Sequence, residues 1–252
     1  MNVPIYKGAA TLAALERWQE TTAQNIAAAS VPGFRKMTTS FAGVLADVMQ
    51  ATSESDGSGK TSRGVMPTEV RSLDLEPGEL RSTGEELDFA IQGAGFFQVQ
   101  RPDGSTAYTR DGSFHANEER VLVNRKGFPL LGDGGPITIR PEGGRISVNA
   151  EGTLIQGDTP VGKIAIQNFS TDAKLRYSGD GLIVPEDPNV QPQPVEKPNI
   201  VGGAIEGSNV KPLQEMVNLI AISRAYEASQ RVINSYDESS DKTIQALGNP
   251  NA

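Results

Sequence analysis

A chain of 252 residues with 37% hydrophobic and 21% charged side chains holds enough apolar material for one large or two modest domains of ordinary soluble type. Its net charge of -8 argues against nucleic acid and anionic membrane surfaces as partners. With no cysteine and a single histidine, neither a disulfide framework nor a zinc site can be assembled.

Glycine and proline divide the chain. Residues 32–207 hold 25 of the 27 Gly and 13 of the 16 Pro, while 9–31 and 213–247 hold none. Both residues disfavour helix interiors, by roughly 1 and 3 kcal/mol relative to Ala. The chain therefore reads as helix, turn-rich β body, helix.

The first segment, 1–35, carries a 3,4-spaced series: Ile5, Gly8, Leu12, Leu15, Gln19, Thr22, Ile26 and Ala29. It predicts a helix from about Ile5 to Ser30, with Gln19 and Thr22 interrupting its apolar seam. Pro32 and Gly33 stop it, because a residue before proline avoids the α region and glycine accepts positive φ. The N-terminus lacks the basic start and apolar run of a secretory signal, so export would leave it in place. Residues 36–63 read as a flexible connector, Ser/Gly/charged over Ser53–Ser62.

A β domain is expected over 64–185. Residues 87–91 and 97–100 alternate as half-buried strands, Pro102-Asp103-Gly104-Ser105 is a turn, and 106–110 returns as the next strand. Further short strands are predicted at 121–124, 137–140, 145–148, 153–156 and 163–169. Residues 186–207 read as an extended, Pro-rich connector.

The last segment, 208–252, predicts a helix capped by Asn209 with Pro212 in its first turn. Leu213 to Ile222 is apolar over a wide arc. A 3,4 series then runs Leu219, Ile222, Tyr226, Ser229, Ile233, Tyr236. The expected fold class is α+β: long N- and C-terminal helices paired as a coiled-coil-like bundle, flanking a central, irregular, mainly antiparallel β domain. Two helices with broken seams are marginal alone, so they are expected to order fully when several copies pack together. Charge supports the same division, since 51–120 carries 7 basic and 13 acidic side chains while both ends are nearly neutral.

Signs of chemistry are weak. Gly59-Lys60-Thr61 has Glu54 where a phosphate loop needs its first glycine, and Gly93-Ala94-Gly95 has Gln98 at the third glycine of a dinucleotide fingerprint. Asp111, Ser113 and His115 invite a hydrolytic triad but lack a strained elbow and oxyanion donors.

Three blocks carry a family resemblance. Gln24-Asn25-Ile26-Ala27 closing with Pro32-Gly33-Phe34-Arg35 resembles the N-terminal signature of flagellar axial proteins. Residues 87–99, with Gly93, Gly95, Phe96 and Phe97, and residues 107–114, with Tyr108 and Arg110, resemble the central motif of basal-body rod proteins. Ser208-Asn209-Val210, Glu215-Met216-Val217 and Arg224-Ala225-Tyr226-Glu227 are similar to the family's C-terminal helix. Departures are Ala28 for a usual asparagine, Val31 for a threonine, and Glu119-Arg120 where an Asp-Gly turn is common.

The resemblance implies a structural subunit of the bacterial flagellar rod, spanning the periplasm in the basal body, of proximal-rod type rather than distal. It implies unprocessed passage through the flagellar export apparatus, an inner tube of terminal helices and an outer layer of β domains that transmits motor torque. Its partners would be copies of itself and other rod and hook proteins, with no cofactor, metal, small-molecule substrate or catalysis, and no membrane insertion. The expected assembly surface is Ile5, Leu12, Leu15, Ile26, Met216, Leu219, Ile222, Tyr226, Ile233 and Tyr236. Rival readings are a distal-rod or hook-type subunit, a secreted β-rich binding module oligomerised by its helices, and an acidic hydrolase using Asp111 and His115.

Overall fold

The computed structural model describes residues 3–47, 63–141, 143–170 and 172–248. Among them lie two helices, α1 (Val3–Ala27) and α2 (Pro212–Gly248), and nineteen strands, all but two of them five residues or shorter. The expected class, an α+β protein with a terminal coiled-coil-like bundle, is therefore corrected: the described chain is mostly β, and no such bundle forms. The physical reason lies in α1. Its inward-facing side chains are polar as well as apolar: Thr21, Thr22 and Asn25 are all buried. The threonine hydroxyls donate to the carbonyls of Arg17 (3.0 Å) and Trp18 (2.9 Å), four residues back.

The described residues form two compact units. One gathers α1 as far as Ile26, residues 38–71, which hold most of strands Met37–Asp47 and Arg63–Leu73, paired as a two-stranded sheet, and α2. Part of the stretch read as a flexible connector is thus strand, whereas Ser53–Ser62 lies outside the described residues. Thr39 Oγ1 donates to Thr21 Oγ1 at 3.1 Å, so α1 offers a polar stripe to this ribbon. Its approach to α2 depends on Gly8: a methyl group there would sit 2.7 Å from Ile233 Cγ1.

The other unit, Ala27–Met37 with Ser72–Lys211, holds the β body. Its largest sheet has six strands in the order Leu175–Tyr177, Ile183–Pro185, Thr106–Thr109, Phe96–Gln100, Ile166–Asn168 and Gln193–Pro194, each pair antiparallel. Successive side chains on a strand point to opposite faces, so adjacent Phe96 and Phe97 seed two cores. Phe97 joins Phe89, Val99, Ala107, Phe114, Leu122 and Ile166. Phe96 joins Tyr108, Phe169, Leu175 and Ile183. This sheet is buried on both faces. Residues 186–207, read as a connector, supply its edge strand Gln193–Pro194, and strands Ile200–Gly202 and Ala204–Glu206 that pair with Phe89–Ile91 and Leu80–Ser82 in two further sheets.

Candidate functional site

Beyond α1 the chain turns at Ala28–Val31, where the Val31 N–H donates to the Ala28 carbonyl at 3.0 Å. Pro32-Gly33-Phe34-Arg35 then lies against the β body as a short arm. Gly33 makes this seating possible. Its φ is 67°, and a Cβ there would fall 2.1 Å from the Asp111 amide nitrogen. The Gly33 N–H donates to the Glu206 carbonyl at 2.7 Å, and the Phe34 ring stacks on Tyr177 with centroids 5.0 Å apart. The Tyr177 hydroxyl accepts from the Arg35 N–H (2.7 Å) and donates to the Arg35 carbonyl (3.3 Å). Burial pushes the Tyr177 pKa up to about 12, against the Arg35 contacts that lower it.

Arg35 is buried. Its Nη2 meets Glu206 Oε1 at 2.7 Å, and its Nη1 donates to the Glu76 carbonyl at 2.8 Å. The second carboxylate oxygen of Glu206 lies 3.2 Å from Arg110 Nη1, and the first also accepts from the Gly78 N–H at 2.7 Å. Arg110 donates further to the carbonyls of Ile91 (3.0 Å) and Gly93, and its guanidinium sits 5.6 Å over the Phe96 ring. Desolvation lowers the Arg110 pKa to about 10; Glu206 opposes the shift and Arg35 adds to it.

Asn209 completes the site. Its Oδ1 accepts from the Lys36 N–H at 2.6 Å, and its Nδ2 donates to the carbonyls of Asp74 (3.0 Å) and Glu76 (2.9 Å). The side chain expected to cap α2 thus spans three chain segments instead, and α2 starts three residues later at Pro212, a position suited to a residue without an N–H.

The motif residues Gly33, Phe34, Gly93, Arg110 and Asn209 meet in this one cluster. Phe96 and Tyr108 form the adjoining core, Gly93 and Gly95 occupy the turn before strand Phe96–Gln100, and Phe97 faces the other core, edge-on to Phe114 at 5.4 Å. Asn25 is buried in the helical unit, away from that list. Arg35 was read only as the end of the N-terminal signature, without a role, and Glu206, Tyr177 and Glu76 escaped the sequence reading. For Glu206 a signal existed: on strand Ala204–Glu206 it shares a face with buried Ala204, so alternation points a carboxylate inward.

The expected assembly residues fall on the helices. Ile222 is buried, and Leu12, Leu15, Ile26, Leu219, Tyr226 and Ile233 are half-buried, whereas Met216 and Tyr236 are exposed. Ile5 belongs to α1, but its side chain lies outside the described ones. A second stripe was not singled out: Leu213, 78% exposed, with Met216, Val217 and Ile220 at 3,4 spacing. Asp111 and Ser113 are engaged in a turn, the Ser113 N–H donating to Asp111 Oδ1 at 3.0 Å and Ser113 Oγ accepting from Arg125 at 3.3 Å. His115 lies exposed on strand Phe114–Ala116.

A buried ion-pair cluster that fastens chain segments in one unit, and in the other a helix that carries an uncovered apolar stripe, are the features of a structural building block. Comparison with known proteins places it. Residues 90–156 match the family described as Flagellar hook protein FlgE/F/G D1 domain, and residues 201–246 match Flagellar basal body rod FlgEFG protein C-terminal. Flagellar basal-body rod protein FlgF of Mesorhizobium japonicum is 36% identical over 98% of this chain and 99% of its own. FlgF of Caulobacter vibrioides is 36% identical over the whole of both chains, and that of Salmonella typhimurium 32% over 98% and 99%. FlgG of Buchnera aphidicola from Schizaphis graminum is 32% identical over 88% of this chain and 90% of its own. The chain belongs to the flagellar basal-body rod protein family.

Proposed function

We propose that this protein is a structural subunit of the flagellar rod, of the proximal type, which polymerises through its terminal helices with copies of itself and with other rod and hook proteins. The β body forms the outer part of the tube and carries no catalysis; the chain reaches its place unprocessed through the flagellar export apparatus, and the finished tube transmits torque.

The observation that carries this reading is α2. Ile222 faces inward, flanked along the same side by half-buried Leu219, Tyr226 and Ile233, while Leu213, Met216, Val217 and Ile220 leave a second stripe in solvent. A helix apolar on two sides in its first turns is built to be covered. Heterologous contacts that do not close into a ring generate helical filaments. The assembly surface we assign joins eight of the ten residues read from sequence, Leu12, Leu15, Ile26, Met216, Leu219, Tyr226, Ile233 and Tyr236, with this second stripe; it leaves out buried Ile222 and also Ile5, whose side chain lies outside the described ones.

The test is complementation of a strain lacking the chain. Ile220→Asp should give a soluble subunit with the circular dichroism of the unaltered protein, no incorporation into basal bodies and no swimming. Normal swimming with Asp at 220 would remove the stripe from the assembly surface.

A further inference from the structure

The Arg35–Glu206–Arg110 cluster is over-supplied with positive charge: two guanidiniums share one carboxylate, all three side chains are buried, and Nε of each arginine has no hydrogen-bond partner. Such a cluster adds little net stability compared with apolar residues of the same volume, yet is severely damaging when one member is removed. Its use must lie in geometry. Phe34 adds a ring contact between the arm and the body, its stack on Tyr177. A slip by one residue would bring Lys36, also a cation, to Glu206. Lysine offers one ammonium, whereas the Arg35 fork reaches Glu206 Oε1 and the Glu76 carbonyl together. Asn209 fixes the same register from the other side, through the Lys36 N–H and the carbonyls of Asp74 and Glu76, and Asp74 returns its N–H to the Lys36 carbonyl at 2.8 Å. These segments end at Met37, begin at Ser72 and end at Lys211, the points where the chain enters or leaves the β unit.

We propose that the Arg35–Glu206–Arg110 cluster, together with Asn209, is a register lock: it selects the single seating of residues 32–36 on the β body, and so fixes the roots of the connections that leave it, while contributing little to global stability. The inference stands independently of rod assembly, because it concerns contacts within one unit of one chain.

Full-length variants test it by thermal melting and amide hydrogen exchange. Glu206→Leu alone strands two buried cations and should lower the melting temperature most. Adding Arg35→Met and Arg110→Met should recover most of that loss, yet the Gly33 and Lys36 amides should exchange at least tenfold faster than in the unaltered protein. Arg35→Lys should show a second set of NMR resonances for residues 32–36. A triple variant that fails to fold, or melts no higher than Glu206→Leu, assigns the cluster to stability and overturns the proposal. A triple variant with unchanged protection at Gly33 and Lys36, or a single set of resonances in Arg35→Lys, overturns it as well.

Discussion

Arg120 has φ 61° and is the one non-glycine among the described residues in the left-handed region. It closes a turn in which the Arg120 N–H donates to the Asn117 carbonyl (2.9 Å) and the Val121 N–H to Asn117 Oδ1 (2.9 Å). The left-handed conformation costs a non-glycine about 1–2 kcal/mol, and glycine returns part of that through its larger unfolded-state entropy. Arg120→Gly should therefore stabilise the protein by about 0.5–1 kcal/mol, a rise of roughly 1–4 °C in melting temperature for a chain of this size; a fall would show that the arginine side chain makes up the strain elsewhere. Tyr177 gives a pH-dependent case. Its hydroxyl titrates near 12 in the folded protein against 10 unfolded. The folded state therefore holds its proton where the unfolded state has lost it, so stability from this group is complete below pH 10 and is lost as pH rises towards 12. The stability advantage of the unaltered protein over Tyr177→Phe should shrink across pH 10–12 by about 2–3 kcal/mol, read as the difference between two urea titrations. An advantage that stays constant across that range would place the hydroxyl in solvent.

Helix α2 shows how one element can serve two surfaces. Ile222 is 2% exposed and Ile220 is 56% exposed, two positions apart on the same helix. Truncating a buried isoleucine to alanine costs about 2–5 kcal/mol, so Ile222→Ala should lower the denaturation midpoint clearly. Ile220→Ala should leave it within about 0.5 kcal/mol, the range of exposed substitutions. Equal losses at both sites would mean that the outer stripe is already covered in the single chain. The elements differ in how openly the sequence displays them. Strand Phe96–Gln100 is legible from Phe97 onward, where apolar and polar residues alternate, and the end of α1 because Pro32 and Gly33 follow it. Strand Gln193–Pro194 is hidden by the prolines around it, which suggest an extended spacer; it stands at the edge of its sheet, where a missing N–H costs nothing. Thr22 misled in the opposite way. A hydroxyl in an apolar series reads as a flaw, but its bond to the Trp18 carbonyl lets it go inside.

For the whole molecule, the linear order of the sequence is not the order of its compact parts. Residues 28–37 follow α1 directly, yet belong to the β unit, because Gly33, Phe34 and Arg35 each complete contacts with the body. Pairings between residues as distant as Arg35 and Glu206 leave no local pattern, so Arg110 and Asn209 were legible as motif residues, whereas alternation could at most turn Glu206 inward without naming its partners. Two truncations separate the parts. Removal of residues 1–31 takes away α1 but leaves the whole arm, and the β body should melt as it does in the intact chain. Removal of residues 1–37 also takes Arg35, its bond to Glu76, the Gly33 bond to the Glu206 carbonyl and the Lys36 partner of Asn209. Breaking a buried ion pair from one side costs about 3–5 kcal/mol, so the shorter chain should lose at least that much stability in its β body. Calorimetry of the two truncated chains gives the comparison: the second should melt several degrees below the first, and coincident transitions would mean that the body holds Glu206 without the arm.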